Sequence, residues 1–81
     1  MAETRVQFEA SVSEADEGSP ARLLIWVRRF QESEELTGRY EVFEDLVRLD
    51  NFIARQAAAG EDTSVLHEAR KRFAEHLGEA T

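Results

Sequence analysis

The stretch SPARLLIWVRRF, Ser19 to Phe30, decides the fold. It opens with a helix start signal, since Ser19 can cap a helix and Pro20 suits the first helical position. At 100° per residue, Leu23, Leu24, Trp26, Val27 and Phe30 would then share an arc of about 160°. Against a helix stand Ile25, which lands on the polar side, and Glu32, Glu34 and Glu35, which would load the negative end of the dipole. Leu-Ile-Trp-Val is also rich in residues that strands prefer. The stretch is therefore read as extended. As a strand it directs Leu23, Ile25 and Val27 to one face and Leu24, Trp26, Arg28 and Phe30 to the other, so that both faces are apolar. Two helices can cover one face of a small sheet, which leaves the second for another chain.

Working outward, RVQFEASVS (Arg5 to Ser13) alternates strictly, with Val6, Phe8, Ala10 and Val12 opposite Gln7, Glu9 and Ser11, the pattern of a half-buried strand. EADEGSP then has the composition of a loop. After the central stretch, TGRYEVF reads as a further strand: Gly38 permits a turn, and Tyr40 and Val42 alternate with Arg39 and Glu41. FEDLVRLDNFIARQAAAG predicts a helix capped by Asp45, with Leu46, Leu49, Phe52, Ile53 and Ala57 on one face and Gly60 at its end. EDTSVLHEARKRFAEHLG predicts a second helix, capped by Asp62, Thr63 or Ser64 and buried through Leu66, Ala69, Phe73 and Leu77. Arg70, Lys71 and Arg72 in its later half complement the dipole, and Gly78 stops it.

The expected fold is α+β and a single small domain over residues 1–81. A three-stranded antiparallel meander is followed by two C-terminal helices, about Leu46 to Ala59 and about Ser64 to Leu77, packed on one face. Were residues 19–31 helical, the order would become βαβαα or the fold mostly α. Phe52, Ile53 and Phe73 are expected in the core.

Composition narrows the function. Seventeen acids against ten bases give a net charge of −7, which repels nucleic-acid phosphates unless the bases segregate. The one basic island, Arg22 to Gln31, holds three arginines between two acidic flanks, too few to track a phosphate backbone. The chain has no cysteine, hence no disulfide, thiolate nucleophile or cysteine-bound zinc, which fits a reducing, cytoplasmic setting. MAETRVQFEA lacks the basic region and apolar stretch of a signal peptide, and no apolar run approaches the ~20 residues of a membrane span.

The residues that could carry chemistry are few. His67 and His76 are nine apart, half a turn out of phase on a helix, so they cannot share a metal ion. The acidic clusters EADE and ESEE lack the loop spacing of an EF-hand. No serine sits in a G-x-S-x-G elbow, and the phosphate-binding and dinucleotide glycine patterns are absent. No enzyme, cofactor or small-molecule substrate is expected. The sequence points to a noncatalytic acidic adaptor or regulator that binds protein, a larger partner or a second copy, through an apolar sheet face bearing Leu24, Trp26, Arg28 and Phe30. The alternative is an acidic charge mimic that inhibits a nucleic-acid-binding protein.

Overall fold

A computed structural model of the chain describes residues 4–13 and 20–79. The central stretch is extended: β2 runs Arg22–Gln31 and lies between β1 (Thr4–Ser13) and β3 (Glu34–Phe43), each pair antiparallel. Two helices follow, α1 (Leu46–Ala58) and α2 (Ser64–Glu79), giving an α+β architecture. Ser19 and most of the expected loop EADEGSP, residues 14–19, lie outside the described residues.

Register explains where the core forms. One face of the sheet carries the rows Val12–Leu23–Phe43, Ala10–Ile25–Glu41, Phe8–Val27–Arg39 and Val6–Arg29–Thr37. Apolar residues fill its first rows and polar ones its last, so the core gathers at the end away from the β2–β3 turn. There Phe8, Leu23, Ile25, Val27 and Phe43 are buried against Leu49, Phe52, Ile53, Leu66, Ala69 and Phe73 of the helices. The Phe52 ring lies 5.2 Å from that of Phe43 and 6.2 Å from that of Phe8, joining the two edge strands beneath α1.

The helix ends follow their local signals. Asp45 Oδ1 accepts the Arg48 N–H at 2.9 Å, capping α1. At the other end Gly60 has φ 84°, its N–H donates to Ala57 O, and the Glu61 N–H donates to Gln56 O, both at 3.0 Å. This paired closure needs the left-handed conformation that glycine adopts without strain. As α2 begins, Asp62 Oδ1 accepts the Ser64 hydroxyl at 2.6 Å and the Ser64 N–H at 3.0 Å, which together hold the Asp62 carboxyl below the usual carboxylate range. Arg70 does more than complement the dipole. Its Nε and Nη2 donate to Asp50 Oδ1 (2.6 Å) and Oδ2 (3.2 Å), a two-pronged clamp between helices that lowers the Asp50 pKa.

Three local expectations are corrected. Gly38 lies inside β3 and forms no turn; the chain reverses at Glu32 and Ser33, with Glu32 at φ 57°. Gly78 does not stop α2, which runs on to Glu79, because one glycine in a last turn costs only about 1 kcal/mol. Ala57 is exposed, the helix having rotated Phe52 and Ile53 onto the sheet.

Glu32 is the only described non-glycine residue at positive φ. A side chain there costs on the order of 1 kcal/mol, partly offset by the greater unfolded freedom of glycine. Glu32→Gly is therefore expected to stabilise by roughly 0.5 kcal/mol and to raise Tm by about 2–4 °C. A lower Tm in a thermal melt would show that the Glu32 side chain makes up for its backbone.

Candidate protein-binding face

The opposite face of the sheet is built from the alternate residues of the same three strands. Its rows are Ser11–Leu24–Val42, Glu9–Trp26–Tyr40, Gln7–Arg28–Gly38 and Arg5–Phe30–Glu35. Both helices contact the sheet on its core side, and among the described residues no element covers this outer face. All four residues expected from the sequence, Leu24, Trp26, Arg28 and Phe30, lie on it, but in two different environments.

One half is a polar lid. Arg28 donates from Nε to Glu35 Oε1 at 3.1 Å and from Nη1 to Glu9 Oε1 at 3.4 Å, tying β2 to both neighbours. The hydrogen bond to Glu35 and the charges of both carboxylates raise the guanidinium pKa despite partial burial. The same guanidinium lies 5.1 Å from the Phe30 ring centroid, and that of Arg5 lies 5.3 Å from it. Phe30 is consequently only 9% exposed although it stands apart from the main core. The sequence reading expected it to be accessible; Arg5 from the neighbouring strand and Arg28 from its own strand close over it instead.

The other half is open and apolar. Trp26 stacks obliquely on Tyr40, ring centroids 4.5 Å apart and planes at 37°, with Tyr40 64% and Val42 51% exposed. Leu24 and Trp26 are half-buried beside them. Tyr40 and Val42 belong to the site but escaped the sequence reading. Their alternation was visible, but joining them to Trp26 and Leu24 requires the β2–β3 register. A depression of about 150 Å³ lined by Glu9, Ala10, Ser11, Leu24, Trp26 and Tyr40 opens here. That is below the ~300 Å³ of ordinary small-molecule sites and of a size for a single side chain.

Gly38 is what lets Trp26 lie flat. A Cβ built there would stand 2.7 Å from Trp26 Cη2 and Cζ2, so the indole covers the gap left by the missing side chain. Gly38→Ala is expected to displace the ring, red-shifting Trp26 emission and increasing its quenching by acrylamide. Stability should change by less than about 1 kcal/mol, since the strand entropy gained opposes the lost ring contacts. Unchanged fluorescence would mean that Trp26 does not rest on Gly38 in solution.

Other reactive groups do not converge. His67 is exposed, while His76 Nδ1 lies 2.9 Å from the Arg72 carbonyl, placed to donate to it. Among the described residues no group of three histidines or carboxylates is arranged to hold a metal ion. No described helix is long and apolar enough to cross a membrane.

Known proteins offer no shortcut. The chain matches no family model, and no curated protein or solved structure resembles it significantly.

Proposed function

We propose that the chain is a noncatalytic protein-binding module, an adaptor or regulator whose protein partner docks on the outer sheet face over Leu24, Trp26, Tyr40 and Val42. One observation carries this reading: the four residues form a contiguous apolar patch that no described element covers, edged by the Arg28–Glu9–Glu35 lid. Tryptophan, tyrosine and arginine are the residues that concentrate binding energy in interfaces, and all three meet here. The partner is a protein, not nucleic acid, a membrane or a small molecule. A cytoplasmic setting fits the absence of cysteine.

Val42 and Val47 supply a matched pair for the test, both exposed valines, one on the face and one on α1. A partner captured by the parent protein should be lost with Val42→Glu and retained with Val47→Glu. Equal capture by both variants would remove the face from the interaction. The net charge of −7 favours one second reading, the charge mimic of nucleic acid. Salt separates the two. Apolar docking should persist to about 1 M salt, where charges are screened beyond ~3 Å, whereas a mimic should release its basic partner.

A further inference from the structure

The sheet has two edges, and they differ. α2 packs along β1, and the outer-face charges of β1 are engaged, Arg5 over Phe30 and Glu9 with Arg28. β3 is barer. It carries Leu36, Tyr40 and Val42, three of the five exposed large hydrophobic residues among the described residues, and contains no proline to block pairing. Its mid-strand charges, Arg39 and Glu41, pair with each other along the strand at 3.1 Å, on the core-side face of the sheet. A long edge with exposed apolar side chains is a template for another strand.

We propose that β3 pairs antiparallel with β3 of a second copy of this chain, about a two-fold axis through Tyr40. Arg39 then faces the partner's Glu41, and Glu41 the partner's Arg39, placing two opposite-charge pairs on the core-side face. The charges select this register. Sliding by two residues one way sets Glu41 against the partner's Glu41, and the other way sets Arg39 against the partner's Arg39. Sliding by one turns every side chain to the wrong face. The irregularity in β3 beside Phe30, where Leu36 is skipped in the pairing, ends the regular segment and confines the interface to Thr37–Phe43.

Two further features fit the same arrangement. On the core-side face, a hollow of about 420 Å³ lined by Val27, Arg29, Thr37 and Arg39 lies at the turn end, beyond the helices. With Thr37 opposite the partner's Phe43, the partner's Glu44 and Asp45 come alongside this hollow and its arginines. On the outer face, Tyr40 meets the partner's Tyr40, so the two Trp26–Tyr40 stacks become one aromatic row across the four central strands of a six-stranded sheet. The dimer thus doubles the face proposed to bind a partner, but it stands without that reading.

Sedimentation velocity on the full chain from about 1 μM to 1 mM tests it, with a dimer expected by roughly 100 μM. Arg39→Glu and Glu41→Arg should each weaken association at least about tenfold by opposing like charges, and the combined R39E/E41R variant should return to within about threefold of the parent. Both side chains are solvent-accessible and point away from the outer face, and circular dichroism of each variant is the control for folding. A parent protein monomeric at 1 mM would overturn the proposal. So would a dimer indifferent to both single swaps, or a combined variant that fails to recover. Partner capture by a parent protein that is monomeric at 1 mM would leave the proposed function standing while the dimer falls.

Discussion

Phe73→Ala is expected to lower stability by about 3–5 kcal/mol, the cost of a large cavity in a packed core. Phe73 is fully buried among residues of both helices and all three strands and is the largest side chain to be so. A chain of this size has a total stability of roughly 4–12 kcal/mol, so the variant should melt at least about 12 °C lower and in some buffers fail to fold. The effect arises from position rather than helix propensity, because alanine is the better helix former. Thermal denaturation followed by circular dichroism measures it. A variant that melts with the parent would show α2 to be peripheral, and the core described here would be wrong.

The second large effect is a contrast between neighbours. Leu23 and Leu24 are the same residue one step apart, Leu23 fully buried between Val12 and Phe43, Leu24 half-buried between Ser11 and Val42 on the open face. Leu23→Ala should cost about 2–5 kcal/mol and Leu24→Ala about 1 kcal/mol or less. Urea titrations of the two variants at low concentration give the comparison directly. Equal losses would mean that the outer face is covered in the monomer, which would remove the geometric ground for a docking surface.

Much of this was legible in the residues. The alternation from Val6 to Val12 and the position of Ile25 identified two strands, and the stripes through Leu49, Phe52 and Ile53 and through Leu66, Ala69 and Phe73 identified the helices. Each is a signal between residues close in sequence, where backbone period alone sets which side chains share a face. The reversal at Glu32–Ser33 was not legible, for it contains no glycine, asparagine or proline; pairing of the flanking strands imposes the positive φ of Glu32. Gly38 was misread for the complementary reason. It has turn chemistry, but its missing side chain is used by Trp26 from the next strand.

The candidate site divides along the same line. Sequence alone determined that Leu24, Trp26, Arg28 and Phe30 share a face of an extended strand, because side chains in a strand alternate with period two. It also determined that the chain is acidic and without cysteine. Only the tertiary structure decided which of the four remain open: Phe30 closed beneath Arg5 and Arg28, Trp26 laid over Gly38, and Tyr40 and Val42 completed the patch. Those outcomes depend on register between strands whose paired residues lie up to about twenty-seven positions apart, such as Thr4 and Gln31. Register is fixed by the sum of core burial and turn geometry, a property of the whole sheet that no single segment encodes.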